Sequence, residues 1–492
     1  MQSAPRNASG VIAQWTRSAS PSRVDGDWLH DRIPEDLWQA FWRDLPQRDR
    51  LAITHVCSAW RRLALSMPLV WANVEAIVFS PMAADEDVIW SNAASLPILL
   101  SRSASANLHL TVFIVDPGPL DPAVRPLMQA VQPHADRVRY LRIVTARSTR
   151  ATAAVLDSVA FTKLRVLVCD RSEVLANYDL LGYNPLLRPE PLYNTYMGLR
   201  APHLEVLKLT PAAFRFTFDG TALPQMPFIT SLAFSASSLT DILIPLRACP
   251  NLAEVELDVS YYAASSRPAD LIPEISTRAL GSNGCLQTLR VCGIRKTHEL
   301  AEMSGFAPLI SSRDRHSLDL VYAIDGESPD PICGLKTFAD LHGPVRLCMW
   351  TGYNNNVLTL HAAEVEAASA RTRKLRFECH STKMSFRGLP LGSLWTIIDL
   401  ARIVELEINV GMVMIASYGL AEFPFPAVQR ARIISPGLAS LEDYLAKLNW
   451  AKLLPSATDV ELVDPELPFG HIKFNSAVEL EAHLSPLKSW FS

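Results

Sequence analysis

From residue 72 onward, short apolar strings return again and again with the spacing L-x-x-L-x-L. The clearest are Val138-x-x-Leu141-x-Ile143, Leu164-x-x-Leu167-x-Cys169, Leu204-x-x-Leu207-x-Leu209, Ile229-x-x-Leu232-x-Phe234, Leu252-x-x-Val255-x-Leu257 and Leu286-x-x-Leu289-x-Val291. Val74-x-x-Ile77-x-Phe79 precedes them. Looser copies follow at Leu318-x-Leu320, Val345-x-Leu347, Leu375-x-Phe377, Ile403-x-x-Leu406-x-Ile408, Val428-x-x-Ala431-x-Ile433 and Val460-x-Leu462. Period-2 alternation makes each string a strand, and the intervals leave room for a helical or irregular return. Parallel strands stacked side by side in a curved array follow.

The six clear strings start 26, 40, 25, 23 and 34 residues apart. That brackets the period of a leucine-rich repeat, with two insertions. Such repeats place Asn or Cys three residues after the last leucine, to bond the following turn; here Ser172, Ala212, Ser237, Ser260 and Ile294 stand there. The expected architecture over residues 76–492 is therefore an irregular leucine-rich-repeat-like α/β solenoid without an asparagine ladder. Ala201-Pro202-His203 and Cys249-Pro250-Asn251 read as turns into the next strand. Residues 90–115 read as a helix ending near Ser101 and a strand carrying Leu108, Leu110, Val112 and Ile114. Leu441, Tyr444, Leu445 and Leu448, and then Val478 to Trp490, form helical stripes that would cap the far end.

Between Ile33 and Trp71 the period changes from strand-like to helical. Pro34, Glu35 and Asp36 suit an opening turn, and Leu37, Phe41 and Leu45 line one face with Trp38 and Trp42 beside them. Pro46 ends that helix. Two more are expected from about Asp49, as N-cap, through Leu51, Ile53, Val56, Cys57, Trp60 and Leu63, until Met67-Pro68 breaks the pattern. About 40 residues bury too little surface to stand alone. A module with four tryptophans needs something to pack against.

The order Ile33-Pro34-x-x-Leu37-Trp38-x-x-Phe41-Trp42-x-x-Leu45, then Asp49 and Leu51, then Val56-Cys57-x-x-Trp60-Arg61-x-Leu63-Ala64, then Pro68-x-x-Trp71, resembles an F-box. Ile33 replaces the usual Leu, and Asp36 a frequent Glu. The resemblance covers residues 29–75 and implies a three-helix F-box that docks on a Skp-type adaptor, and through it on a cullin. Ile33, Pro34, Leu37, Trp38, Phe41, Leu45, Leu51, Val56 and Trp60 are carried over as adaptor contacts. The rest of the chain is similar to the C-terminal halves of many fungal F-box proteins. A helical cap on the repeats, with Leu37 and Phe41 facing inward, is the alternative reading of the same face.

Composition narrows the function classes. Forty-six Lys and Arg against 50 Asp and Glu give a net charge of −4, which excludes a globally basic nucleic-acid binder. Hydrophobic residues at 49% supply ample core. Eight cysteines form no C-x-x-C pair, so no zinc site is expected, and reduced thiols suit the cytoplasm or nucleus. The longest weakly charged stretch, from Ile403 to Ala421, contains Glu405 and Glu407 and reads as a strand and loop, so no membrane partner is expected. Residues 1–28 have the Arg, Ser and Ala content of a transit peptide but no apolar stripe, and are expected to be a disordered leader.

Candidate chemistry is sparse. No phosphate-binding, dinucleotide-binding, nucleophile-elbow or H-E-x-x-H motif occurs. Gly281-Ser282-Asn283-Gly284 precedes a strand and reads as a turn. His361, Glu364 and Glu366 read as a solvated helix surface, Cys379 and His380 as neighbours on opposite strand faces, and Arg371, Arg373, Lys374 and Arg376 as a solvated basic face. No catalytic residue, metal or cofactor is expected. The chain reads as a non-enzymatic substrate-recognition subunit of a Skp-cullin-F-box ubiquitin ligase, its solenoid holding a target protein of unknown identity. The rival reading is a repeat-protein scaffold that uses the same module for assembly without ubiquitin transfer.

Overall fold

A computed structural model describes residues 33–79, 90–115, 121–145, 152, 155–156, 158–171, 190–193, 201–209, 214–217, 226–236, 245–246, 248–259, 286–294, 316–324, 338, 341–351, 357–365, 371–379, 399–409, 424–434, 445, 448–464 and 471–488. The expected leader, the Gly281–Gly284 turn, Glu366, His380, Leu441 and Tyr444 lie outside the described residues.

The chain is mixed α/β, with a large, mostly parallel open sheet and few helices. The strands are β1 (Asn73–Phe79), β2 (Trp90–Ser91), β3 (Leu108–Val115), β4 (Val138–Thr145), β5 (Val166–Arg171), β6 (Glu190–Tyr193), β7 (Val206–Leu209), β8 (Phe214–Thr217), β9 (Ser231–Ser235) and β10 (Glu254–Asp258). They continue as β11 (Thr288–Ile294), β12 (Ser317–Ile324), β13 (Val345–Thr351), β14 (Val357–Glu364), β15 (Thr372–Cys379), β16 (Ile403–Asn409), β17 (Arg430–Ile434), β18 (Asp459–Val463) and β19 (His471–Phe474).

From β1 the neighbours run β3, β4, β5, β7, β9, β10, β11 and β12, all parallel. β6 and β8 pair as a side branch that meets β9 at Arg215 and Ser235. Four pairings depart from the all-parallel expectation. β2 and β19 close the two ends as antiparallel strands. Between β12 and β16, the meander β13-β14-β15 enters in reverse order, β15 parallel to β12 and β13 parallel to β16, with β14 antiparallel between them.

Registry explains the repeating spacing. The middle leucine of each string lies on its neighbours' equivalents, Leu110 on Leu141, Leu167, Leu207, Leu232, Val255, Leu289 and Leu318, and all are buried. In five of the six clear strings the first leucine is not in the strand, and in four of these the turn it closes is defined. Leu164 donates its N–H to Phe161 O at 3.0 Å, Leu204 to Ala201 O at 3.2 Å, Ile229 to Met226 O at 3.3 Å and Leu252 to Cys249 O at 3.3 Å. Pro202, Pro227 and Pro250 occupy the second position, where a fixed φ suits the turn.

Stacked turns are tied by the backbone itself. Arg165 O accepts from both Glu205 N and Val206 N at 2.8 and 2.9 Å, Glu205 O from Thr230 N and Ser231 N, Thr230 O from Ala253 N and Glu254 N, and Ala253 O from Gln287 N and Thr288 N. These forked bonds lie at the entry end of the strands, opposite the end at which an asparagine ladder would stand.

The string of β1 departs from this pattern. In β1 the buried side is Val74, Ala76 and Val78, while Ile77 is half-buried. Positions 74 and 77 are an odd number apart, and within one strand they cannot share a face.

Ahead of β1 lie α1 (Glu35–Arg43), α2 (Gln47–Ile53), α3 (Ser58–Ser66) and a 3-10 turn (Pro68–Trp71). Pro34 precedes α1, whose first turn is acidic and last turn basic, as the helix dipole favours. α2 starts three residues earlier than expected, with Pro46 at its N-cap, so Asp49 sits in its first turn. Cys57 caps α3 through its Sγ, which accepts from Trp60 N at 3.4 Å. Trp38, Trp42 and Trp60 pack mutually with ring centroids 5.0–5.6 Å apart. Trp71 is buried, its Nε1 donating to Ala64 O at 2.7 Å.

Next comes α4 (Leu96–Arg102), which buries Leu96, Leu99 and Leu100 and holds the Arg102 guanidinium 4.7 Å above the Trp71 ring. α5 (Asp121–Val131), α6 (Trp450–Leu453) and α7 (Ala477–Lys488) follow. α7 falls on the expected C-terminal stripe, and Leu445 and Leu448 are buried. One continuous hydrophobic core joins Trp38 and Trp42 to the sheet and runs on to Leu484.

After α4, Ala104 has φ of 44°, the left-handed region in which a Cβ is strained. Ala104→Gly is expected to raise stability by about 0.5–1 kcal/mol. Its effect is to be read as increased protection of the 96–104 amides in hydrogen exchange.

Candidate docking surfaces

Helical spacing divides α1 into two faces. Trp38 and Trp42 turn into the core, whereas Leu37 and Phe41 are 57% and 64% exposed. Val56, at the end of the α2–α3 connection, is 58% exposed, and Leu65 and Leu69 are exposed as well. Half of the large exposed apolar side chains among the described residues thus fall between positions 37 and 69, in a segment that also supplies the buried side chains of Trp38, Trp42 and Met67.

The expected contact residues therefore separate. Leu37, Phe41 and Val56 point to solvent with Pro34; Ile33, Leu45, Leu51 and Trp60 are half-buried against the core; Trp38 is buried. An inward-facing helical cap does not describe Leu37 and Phe41. Leu65 and Leu69 were not singled out by the sequence pattern, which tracks positions that match a motif and not the remaining exposed apolar ones.

The second surface is the open face of the sheet, where side chains of opposite parity to the core rows stand. One register row across it reads Glu256, Arg290, Asp319, Lys374, His361, Cys348, Glu407, Arg432 and Glu461. Arg290 lies 3.2 Å from Glu256 and 3.5 Å from Asp319, which Lys374 approaches at 3.8 Å. Arg432 bridges Glu407 and Glu461 at 3.7 and 3.4 Å. In the adjacent row Glu405 accepts from Arg346 at 2.6 Å and also from Arg430. Trp350 donates its Nε1–H to Glu407 at 3.0 Å.

Each exposed pair contributes little to stability. Together they hold long side chains in fixed orientations over a polar depression between β13, β16, β17 and β18. Such a face can recognise another molecule through charge and shape.

The remaining chemistry-bearing residues resolve differently from expectation. His361 and Glu364 lie on strand β14, not on a helix. Glu364 is buried and accepts from His342 N at 2.8 Å and Arg371 N at 3.4 Å; burial pushes its pKa up, but these donors and the Arg371 charge outweigh it and hold the carboxyl below its usual range. His361 is pushed below its usual range by burial and then by Lys374. Arg373 is buried on the same side as Leu375 and Phe377, contrary to a solvated basic face, with Nη1 donating to Thr372 O. Among the described residues no three His, Cys, Asp or Glu side chains are grouped so as to hold a metal ion. No described helix is long and apolar enough to cross a membrane.

Thiol accessibility offers a direct check of these placements. Cys57 is exposed, Cys169, Cys249 and Cys348 are buried, and burial pushes Cys249 up to about 12 and Cys348 up to about 11. With iodoacetamide near neutral pH, Cys57 is expected to be alkylated first of these. Cys169 and Cys249 should react only when denaturant is added, as peptide mass spectrometry would show.

No family model matches the chain, and no curated protein does.

Proposed function

We propose that the chain is the substrate-recognition subunit of a Skp-cullin-F-box ubiquitin ligase. In this reading residues 29–75 are an F-box bound to a Skp-type adaptor, and residues 76–492 are an irregular leucine-rich-repeat-like solenoid that holds a target protein. The observation that carries it is the outward pair Leu37 and Phe41, on a helix whose other face is already filled by Trp38 and Trp42. An exposed apolar stripe beside a saturated core is what a helical docking module leaves for its partner. The F-box-like order of residues 33–71 supports the identity of that partner.

The mechanism is positional. The adaptor would tether the chain to the cullin, the sheet would hold the target, and proximity to a ubiquitin-charged conjugating enzyme would raise the effective concentration of a target lysine. No side chain of this chain need take part in the chemistry.

Co-purification of the full chain with a Skp-type adaptor tests the reading. A single complex on size exclusion that also recruits a cullin is the expected result. Adaptor binding without cullin recruitment would favour the scaffold reading, and no adaptor binding would overturn both.

A further inference from the structure

A parallel sheet exposes the backbone of its first strand along one edge, and among the described residues β1 has only the two-residue β2 beside it there, at Val78 and Phe79. Its remaining edge groups nonetheless have partners. Glu75 N–H donates to Gln47 Oε1 at 2.9 Å, and Glu75 O accepts from Gln47 Nε2 at 3.3 Å and from Asn92 Nδ2 at 2.8 Å. Ile77 N–H donates to Asn92 Oδ1 at 2.8 Å, and Ile77 O accepts from Asn92 N at 3.2 Å. Asn73 O accepts from Arg50 Nη2, and Arg50 Nη1 donates to Val70 O at 2.6 Å. Two carboxamides and a guanidinium stand where a neighbouring strand's peptide groups would be.

The donors and acceptors are directional and are removed from water. Gln47 is 8% exposed and Arg50 2%. Both belong to α2, on the helical module; Asn92 belongs to the chain leading into α4. A carboxamide that both donates to and accepts from one residue's backbone fixes orientation as well as distance, which apolar packing alone does not.

We infer that Gln47 and Arg50 are positioning residues that lock the helical module to the edge of the sheet, with Asn92 holding the next backbone groups of the same edge, so that whatever docks on Leu37 and Phe41 is carried at a fixed angle to the sheet's open face. Its functional meaning rests on the reading above: a tether that swivels would spread the target lysine over a larger volume and lower its effective concentration. The lock itself does not depend on that reading.

The test uses the full chain, with nitroxides coupled through p-acetylphenylalanine at the exposed positions Arg62 and Lys163, which leaves every cysteine untouched. Pulsed dipolar spectroscopy then reads the distance distribution between module and sheet. A narrow distribution is expected in the parent chain, and one at least about twice as wide in the Gln47→Ala/Arg50→Met double variant, which removes both side chains of the module that bond β1. Affinity for the adaptor should be retained, because neither residue lies among the outward apolar side chains.

Val124→Ala, in the buried face of α5, is the control for stability alone; it should lower the melting temperature and leave the distribution narrow. A double variant as narrow as the parent, or a control as broad as the double variant, would overturn the lock. Failure of the parent chain to bind the adaptor would instead overturn the proposed function, while the distance distributions would still decide the lock.

Discussion

Phe41→Asp is expected to abolish the complex with a Skp-type adaptor while leaving the fold of the free chain intact. In the free chain the side chain is 64% exposed, so a carboxylate there stays hydrated and costs the fold little. At the centre of a protein interface the same carboxylate would lose its water with no cation to replace it, at a cost on the order of 4 kcal/mol, roughly a thousandfold in affinity. Leu37→Asp, one turn earlier on the same face, should behave alike. Titration calorimetry with the full-length variant is the measurement, with circular dichroism to establish folding. A variant that is folded and still binds would remove this face from the adaptor contact.

Trp42→Ala should have the largest effect on the fold of the module. The side chain is 1% exposed and packs against both Trp38 and Trp60, so its removal opens a cavity among rigid rings that cannot collapse into it. Truncations of this kind cost about 3–5 kcal/mol. A chain of this size need not unfold in one step, so the effect is to be read locally. Amides of α1 and of the Pro68–Trp71 turn should open about a thousandfold more often in hydrogen exchange, while those of β16 to β18 stay protected. Unchanged exchange in α1 would mean that the tryptophan cluster does not hold the helix in place.

Much of the sheet was legible because its information is local. Leu167 and Cys169, or Leu207 and Leu209, alternate with polar neighbours, and a buried face two residues apart can only be a strand. The parity of α1 could be read in the same way, since Leu37 and Phe41 share one face and Trp38 and Trp42 another. What that spacing could not say is which face is inward: both are apolar, and the choice is made by Trp60 and Trp71, brought in from later in the chain. β14 was missed because Leu358, Thr359 and Leu360 are buried in succession and Ala362-Ala363-Glu364 has the composition of a helix. The reversal of β13-β14-β15 leaves no trace in any one strand, because pairing partners are a property of the sheet. Arg373 could have been found, as it shares parity with Leu375 and Phe377; its charge outweighed its position.

The same reversal governs the order in which this chain can assemble and come apart. Along the main run from β1 to β12, the β6–β8 branch aside, each new strand meets an edge that is already formed, and growth can proceed along the sequence with short loop closures. At β12 it must stop. The next strand to leave the ribosome, β13, has its parallel neighbour in β16, still to be made, while the edge of β12 waits for β15. The hairpins β13-β14 and β14-β15 are then the only local way forward, and the meander must form and dock as a unit before the second half can grow. In the finished protein the β12–β15 contact is the single described strand pairing that joins the two halves across this point, so a force or a protease that opens it would divide the sheet into an N-terminal piece ending at β12 and a C-terminal piece beginning with the meander.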